Sequence, residues 1–465
     1  MGGLSGINSI ALSGLSVDEA ALNVTSNNIA NVNTPGYTRE TLDVAESTPE
    51  TVGQISYGTG VTLQGIKSVR DNILTSRIAE ENGQQTQSQG YVNTMTQVEA
   101  MFNDDSGSGL QSVLSGFYNS LSSLSTNPTS SSLRESVITS AQNLASAFNQ
   151  DSTNLQTIST SLDNQVSADL SQVNSLTSQI AQLNVQIGEA NAASNSGSNS
   201  DTAGMLQDQQ SQLVQTLSGL IGTQVTQTTN GMITVSTANG TALVAGNQSF
   251  VLQGQTGTTT GHLDVYSGST NITSSLSGGD IAGLIQARDK GIAGVQSQLD
   301  TLAAGISNTV NAQSTAGYDA SGVAGVDLFT APPASGAGAA ATMAVNIKQP
   351  SQIAAASTVA AGDGSNALAM ANLQSAAMTN GQNPIDYYSN LVSTVGNDVS
   401  EATSQNTAQG LVLQQLQQQQ SSESGVSLDE EAVNLIQYQQ AYQASARVIS
   451  TVSTLITTLM SMGVS

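Results

Sequence analysis

Apolar residues recur at helical spacing near both ends of the chain. Residues 4–31 carry a broad apolar stripe in which Leu15, Leu22 and Ile29 stand seven residues apart. Near the carboxyl terminus the seven-residue spacing is strict, and the positions that follow it are Leu428, Leu435, Tyr442, Ile449 and Ile456. The neighbouring seam consists of Tyr438, Val452 and Leu459. Because ~5 heptads of this pattern are typical of coiled-coil packing, we predict a long amphipathic helix at each end.

The carboxyl-terminal helix has a well-defined predicted start. Ser427 and Glu430 have the spacing of a capping box, in which the serine hydroxyl and the glutamate carboxylate each accept a hydrogen bond from the other residue's amide. Asp429 and Glu431 add negative charge at the positive end of the helix dipole. We therefore expect the helix to begin directly after Ser427.

The middle of the chain divides into helical and β-type segments. Helical spacing with few breakers predicts helices over residues 84–101, 110–124, 133–187, 282–310 and 368–420. Residues 223–266 are rich in Thr, Val and Gly, and Asn-Gly pairs separate their short alternating runs, which predicts β-hairpins. A second Gly- and Ala-rich stretch, residues 326–359, is expected to join the same β unit.

These segments predict a mainly α protein with an inserted β domain. Helices flank the β part in the sequence, so we expect an elongated rod with paired terminal helices, a helical bundle, and the β domain at the outer end. The predicted division is a terminal helical region (1–56 and 421–465), a helical bundle (57–200, 281–316 and 363–420) and a β-rich outer domain (201–280 and 317–362).

A tight turn is predicted directly after the amino-terminal helix. The residues assigned to it are Asn33, Thr34, Pro35, Gly36, Tyr37 and Arg39. Pro35 fixes φ and Gly36 supplies a positive φ, so residues 34–37 fit a type II turn. Tyr37 and Arg39 are expected either to dock the turn onto a neighbour or onto the chain's own outer helix, or only to pin it locally.

Composition narrows the classes of function. The 465 residues carry a net charge of −24, although only 9 % of them are charged. This balance argues against nucleic acid and against an anionic membrane surface, because both partners need clustered Lys and Arg. Cysteine is absent, and the first basic residue is Arg39. We therefore expect a soluble protein without disulfides, and one that, if it is exported, leaves by a route that needs no cleaved secretory signal peptide.

The sequence contains no convincing catalytic, metal or cofactor constellation. His262 is the one histidine, and a lone histidine without cysteines or clustered carboxylates makes no zinc site. The acidic stretch at 319–327 lacks the alternating oxygen ligands of a calcium loop. We predict no enzymatic activity and no cofactor.

The two amphipathic ends remain as the candidate functional surface. They either close the molecule on itself as a coiled-coil pair or offer a surface to neighbouring subunits. A helix of ~30 residues so rich in Ser, Asn and Gln gains little from burial on one side alone. The stripe over residues 4–31 is also wider than a two-helix seam requires. Both features favour subunit contacts, and we assign Asn28 and Asn31 to this surface together with the apolar positions.

The terminal motifs carry a resemblance to a known family. The run SGLSVDEAALNVTSNNIANVNTPGYTRE, residues 13–40, resembles the amino-terminal segment of the bacterial flagellar rod, hook and junction proteins. The run SGVSLDEEAVNLIQYQQAYQASARVISTV, residues 424–452, resembles the hook-associated junction proteins between hook and filament. Patches at 57–78, 123–149, 278–289 and 317–329 resemble that family in the same order.

The resemblance implies an assembly role for the terminal helices. It implies a homo-oligomeric tube segment on the bacterial flagellum, exported unfolded through the flagellar type III system, with the terminal helices as an inner coiled coil. The implied partners are the hook protein, the second junction protein and the filament. A cytoplasmic export chaperone is expected to hold the carboxyl-terminal amphipathic helix.

Two alternatives remain open at the level of the sequence. A hook or distal-rod protein of the same axial family is disfavoured by the GVSLDEEA lead and by Gln440. An acidic secreted adhesin or fibre protein would account for the polar composition and the β insert. That second alternative leaves the paired terminal motifs unexplained.

Overall fold

The computed structural model describes residues 2–52, 55–102, 109–194, 202–228, 230–258, 261–360, 362–378 and 381–462. The α-helices within them are α1 (Gly2–Asn31), α2 (Asn72–Met101), α3 (Leu110–Thr126), α4 (Ser131–Ser194), α5 (Thr202–Ile221), α6 (Asp280–Gln286), α7 (Ala293–Thr315), α8 (Ala339–Thr342), α9 (Ser365–Asn372), α10 (Pro384–Ser424) and α11 (Leu428–Met462). A π-helical segment, Ala287–Ile292, joins α6 to α7. The predicted mainly α class with an inserted sheet region is confirmed.

The strands form small antiparallel sheets. They are β1 (Glu40–Glu46), β2 (Glu50–Val52), β3 (Ile55–Tyr57), β4 (Val61–Ser68), β5 (Thr223–Gln227), β6 (Ile233–Thr237), β7 (Ala242–Ala245), β8 (Gln248–Ser249), β9 (Leu252–Thr256), β10 (Leu263–Ser267) and β11 (Thr270–Asn271). In the described residues β1 pairs with β4 and β2 with β3, while the inserted strands form the orders β5-β6-β7-β8 and β11-β10-β9.

Helix α4 is the long central helix against which the bundle packs. Its 64 residues span ~96 Å at ~1.5 Å per residue, which accounts for an elongated body. Its buried face follows helical spacing over its whole length, through Val137, Leu144, Leu155, Leu162, Val166, Val173, Ile180 and Ile187. Helices α2, α3, α5, α6, α7, α9 and α10 complete the bundle and its main core.

The predicted helix over residues 368–420 is interrupted. Helix α9 ends at Asn372, and α10 begins at Pro384. Gly381 has a φ of 84°, in the left-handed region, and its amide donates to the carbonyl of Met378 at 2.9 Å, while the Asn383 side chain caps α10 by accepting from the amide of Asp386 at 2.8 Å. The positive-φ turn at Gly381 and the Asn383–Pro384 start separate α10 from the segment that follows α9.

The stretch at 326–359 does not join the inserted sheets. It forms isolated bridges such as Phe329 with Val345, together with the short helix α8. It packs on the first half of α4, where the Arg134 guanidinium donates to the carbonyl of Ile353 at 2.6 Å and the Asn149 amide to that of Ala340 at 2.7 Å. Side-chain amides and a buried guanidinium satisfy its backbone carbonyls in place of a strand partner.

The inserted sheets pack along the second half of α4: the Asn174 amide donates to the carbonyl of Leu252 at 2.8 Å, and the Asn184 amide to that of Ile233 at 2.8 Å. Residues 202–221, predicted as part of the β-rich domain, form α5. Residues 40–46, predicted inside the terminal helical region, form β1. The predicted boundary at 200–201 lies outside the described residues, and the three-part division remains a prediction.

Candidate assembly surface

The turn after α1 has the predicted geometry. Gly36 has a φ of 77°, and the amide of Tyr37 donates to the carbonyl of Thr34 at 3.2 Å, as a type II turn requires. The Thr34 hydroxyl donates to Asn31 Oδ1 at 3.1 Å, and Asn31 donates back to the carbonyl of Asn27 at 3.0 Å. Asn31 therefore ties the turn to the last turn of α1.

Asn28 joins α1 to the hairpin that follows it. Its amide donates to the carbonyl of Glu40 at 2.9 Å, and its oxygen accepts from the Glu40 amide at 3.0 Å and the Tyr37 hydroxyl at 2.8 Å. The side chain is 1 % exposed. Asn28 and Asn31, both assigned to the subunit surface from the sequence, thus hold their own chain, because a buried amide must satisfy its donors and acceptors locally. The Tyr37 hydroxyl bonds within its own chain, to Asn28 near the end of α1.

Arg39 docks the turn onto the other end of the chain. Its backbone amide donates to the carbonyl of Ser424 at 2.9 Å, at the end of α10, and its guanidinium lies 2.9 Å from the carboxylate of Glu430 in α11. Helix α11 begins directly after Ser427, as predicted. The Ser427 hydroxyl lies 3.5 Å from the amide of Glu430, but the Glu430 carboxylate binds Arg39, so the reciprocal half of the predicted capping box is replaced by an ion pair.

Polar contacts anchor the same turn to the bundle. Thr38 donates to Asp208 in α5 through its hydroxyl at 2.6 Å and its amide at 3.1 Å. Asp208 also pairs with Arg70, which bonds Gln207 and the carbonyl of Gly204 as well. Since Arg70 and Asp208 are mostly buried, their charges must be paired, and Thr38 adds a further donor to Asp208.

The junction between the terminal unit and the bundle has no shared hydrophobic core. We define the terminal unit as α1, the β1–β4 segment and α11. Within the described chain the main core cluster draws on residues 79–399 and a satellite cluster on Leu74, Ile78 and Leu416, so neither includes a residue of the terminal unit. A cleft of about 340 Å³, lined mostly by Ser, Thr, Asn and Gln, lies between the two parts. We call this junction the polar joint.

Helices α1 and α11 pack against each other in antiparallel orientation. Arg39, beyond the end of α1, meets the start of α11, while Ser445, halfway along α11, donates to Asp18 at 3.4 Å. Burial raises the pKa of Asp18, and the hydrogen bond from Ser445 partly opposes that rise. The α1 residues on the buried side are small or polar: Ala11, Ala21, Val24, Thr25 and Asn28.

Some residues of the predicted heptads are buried or half-buried in the terminal unit, and others are exposed to solvent. Leu15, Leu22 and Ile29 are half-buried and flank the small residues of α1. On α11 the half-buried or buried positions are Leu435, Tyr438, Tyr442, Ile449 and Val452. Leu428, Ile456 and Leu459 are exposed in the single chain. The intramolecular seam therefore uses only part of the predicted apolar pattern.

The remaining apolar side chains of the terminal helices point to solvent. On α1 these are Ile7, Ile10 and Leu12, and on α11 they are Leu428, Val433, Ile436, Val448, Leu455, Ile456, Leu459, Met460 and Met462. We call this set the exposed apolar face. Within residues 432–462 Arg447 is the one charged residue. Exposed apolar patches of this kind are typical of protein–protein contact sites, which makes this face the candidate assembly surface.

The hairpin and the polar joint were not identified from the sequence. The β1–β4 hairpin returns along α1, where the amide of Val61 meets the Ser13 hydroxyl at 3.3 Å and Gly60, at φ 106°, lies against the backbone of Ile10. The alternation in ETLDVAE, residues 40–46, was its available signal. Asp208 and Arg70 are 138 residues apart, and nothing in the local pattern links them.

Other kinds of site find no support in the described residues. No group of three or more His, Asp or Glu side chains there is placed to hold a metal ion. None of the helices in the described ranges is both long and apolar enough to cross a membrane.

Three parts of the chain match models of flagellar protein families. A model described as "Flagellar hook-associated protein FlgK helical domain" matches residues 95–329. Residues 417–462 match "Flagellar basal body rod FlgEFG protein C-terminal", and residues 9–38 match "Flagella basal body rod protein". The last two matches coincide with α11 and with α1 and its turn.

Curated relatives cover nearly the whole chain. Flagellar hook-associated protein 1 of Bacillus subtilis is 31 % identical, with 94 % of each chain covered. The proteins of the same name from Salmonella typhimurium and Escherichia coli are 28 % and 27 % identical, with 97 % of this chain and 98 % of theirs covered. A solved structure, of the flagellar hook junction protein FlgK from Burkholderia pseudomallei, aligns with a TM-score of 0.66 at 19 % identity. It covers 75 % of this chain and 100 % of that one, and supports the fold.

Proposed function

The chain belongs to the flagellar hook-associated protein 1 family, and from this premise we propose that it is a structural component of the bacterial flagellum that joins the hook to the filament. The observation that carries the proposal is the exposed apolar face of α1 and α11. These helices pair with each other, yet they leave large apolar side chains in water. A structural role without catalysis accords with this surface.

Assembly through the terminal helices supplies the binding energy in this proposal. Burial of apolar side chains is worth ~25 cal/mol per Å² before the cost of ordering the chains. The near absence of charge on residues 432–462 limits the cost of desolvation on contact. The partners we propose are further copies of this chain in a tube segment, the hook protein on one side, and the second junction protein and filament on the other.

The same surface requires protection before assembly. We propose that the chain leaves the cell unfolded through the flagellar type III system, without a cleaved signal peptide. A cytoplasmic export chaperone would cover α11 until then. The absence of cysteine and the lack of a core shared between the terminal unit and the bundle are compatible with repeated unfolding of this region.

The middle of the chain argues for a junction protein over a hook or distal-rod protein. The terminal matches at 9–38 and 417–462 carry rod-protein descriptions, whereas the match at 95–329 carries the hook-associated description. An adhesin or fibre protein leaves these paired terminal matches without a reason.

Electron microscopy of flagella tests the assembly role. Val433 and Ile436, 64 % and 56 % exposed on α11, are both changed to Asp in cells that make no other copy. We choose these exposed residues over Tyr442 and Ile449 of the predicted heptads, because those two are half-buried and their replacement would also disturb the single chain. We expect hooks without filaments and filament subunits in the medium, because charge at these positions must be desolvated on contact.

The matched control changes exposed valines outside the terminal unit. Val323 and Val359, 60 % and 70 % exposed, become Asp in the control strain, and we expect normal filaments. Recovery of the Val433→Asp, Ile436→Asp protein from the medium separates failed assembly from failed export. Normal filaments on hooks of the α11 variant would refute the assembly role of this face.

A further inference from the structure

Arg447 forms no ion pair with any residue in the part of the chain that the structure describes. It is the only basic residue after Lys348 and the only charged residue of α11 after Glu431, in a chain with 33 acidic residues. The side chain is exposed. If α11 packs against another copy, burial of this charge in the contact is costly unless an acidic side chain pairs with it.

The geometry of α11 turns Arg447 away from α1. Ser445 faces α1, because its hydroxyl bonds Asp18. Arg447 follows two positions later, ~200° further around the helix at ~3.6 residues per turn. Its guanidinium therefore belongs to the outer surface of the pair, not to the side that carries Asp18.

The exposed side of α11 is divided into three segments. Its start, residues 428–436, exposes Leu428, Val433 and Ile436, and its end, residues 448–462, exposes apolar side chains from Val448 onward. Between them, residues 437–447 expose mainly glutamines. Asp429 lies at the beginning of the first apolar segment, and Arg447 directly before the second. The two charges thus occupy equivalent positions relative to the two apolar segments.

We infer that Arg447 of one copy pairs with Asp429 of a second copy, with the two α11 helices parallel and staggered by 18 residues. The stagger corresponds to ~27 Å along the helix. It brings Val448 and Leu455 of one copy level with the segment of the other that contains Val433 and Ile436. The same 18-residue stagger thus allows both the apolar contact and the Arg447–Asp429 ion pair. The inference rests on the proposed assembly through the terminal helices.

The staggered contact is heterologous and can repeat. Arg447 of each copy uses Asp429 of the next, so the contact adds copies in one direction and builds a helical array. Glu19 is the other exposed carboxylate of the terminal helices that lacks an ion pair in the described chain. Pairing with Glu19, next to Asp18 beside Ser445, would hold two copies at one level, without the shift that brings the two apolar segments together. The structure therefore favours Asp429.

Cross-linking in assembled flagella tests the stagger. The chain contains no cysteine, so Asp429→Cys and Arg447→Cys in one chain introduce the only thiols. A short bis-maleimide reaches across the length of an arginine side chain but not across ~27 Å of one helix. We expect dimers and higher multimers from the double variant. We expect monomer from each single variant.

The comparison variant combines Glu19→Cys with Arg447→Cys. Multimers from this variant and none from the Asp429 variant would overturn the staggered pairing. Monomer from both would also overturn it, provided that the variants carry filaments.

Charge reversal provides a second readout. Arg447→Glu and Asp429→Lys should each reduce the fraction of hooks with filaments by roughly three- to tenfold, because like charges then face each other in every contact. The double reversal should restore it. A double variant no better than the single ones would refute the pairing. Unmodified protein absent from hook–filament junctions would instead refute the proposed function itself.

Discussion

Single polar side chains fix the end of α1. Asn28 makes three hydrogen bonds to Tyr37 and Glu40, and Arg39 reaches both the end of α10 and the start of α11. The type II turn could be predicted from Pro35 and Gly36 because its φ requirements are local. The role of Asn28 could not, because its partners are placed by that turn and by the hairpin after it.

Replacement of Asn28 should loosen the hairpin without unfolding the bundle. Asn28→Leu removes three hydrogen bonds and leaves the Glu40 amide, the Glu40 carbonyl and the Tyr37 hydroxyl without this partner. Each buried group that loses its partner costs ~1–3 kcal/mol of folding free energy. We expect limited proteolysis within residues 32–40 to accelerate by at least about tenfold. Asn33→Leu is the matched control, because Asn33 is exposed in the same turn. Equal rates for the two variants would contradict the role assigned to Asn28.

Long helices were predictable because their periodicity is sustained. The predicted helix over residues 133–187 corresponds to α4, and the carboxyl-terminal helix begins where its cap predicted. The seam of α1 was assigned to Leu15, Leu22 and Ile29, whereas the most buried residues are smaller, such as Ala21 and Thr25. Small residues let two helices approach closely, and a pattern weighted by hydrophobicity favours the bulky neighbours instead. Short elements such as β1 lack the length that makes a pattern distinctive.

The small residues of α1 should be intolerant of bulk. Ala21 is buried on α1, so Ala21→Leu inserts a large side chain into the packing of the terminal unit, where overpacking costs ~1–3 kcal/mol. In thermal denaturation followed by circular dichroism, we expect the terminal helices to melt in an early step, because they share no core with the bundle. Ala21→Leu should lower the midpoint of that step and leave the later one unchanged.

Ala30→Leu serves as the control for helix propensity and added volume. Ala30 is exposed on the same helix, so its replacement should leave both steps in place. A single transition shifted equally by both variants would mean that α1 and α11 unfold together with the bundle.

At the scale of the whole molecule, a bundle built on α4 is joined to the terminal unit through polar contacts. The family was identifiable from the terminal motifs, and the relatives confirm that resemblance over nearly the full chain. The placement of the inserted sheets beside α4 was not predictable, because it depends on contacts such as that of Asn174 with Leu252, 78 residues away. In the proposed assembly, a polar joint would leave the orientation and order of the terminal unit to be set by neighbouring subunits.

Hydrogen exchange of the isolated subunit and of the assembled flagellum tests this account most directly. In the dilute subunit, we expect amides of α1 and of residues 430–462 to exchange at least about 100-fold faster than those of α4, because few contacts join the terminal unit to the bundle and neither hydrophobic core cluster includes it. In the assembled form the same amides should become protected, while α4 changes little. Protection of α1 and α11 equal to that of α4 in the dilute subunit would contradict the claim that neighbouring copies complete the terminal helices.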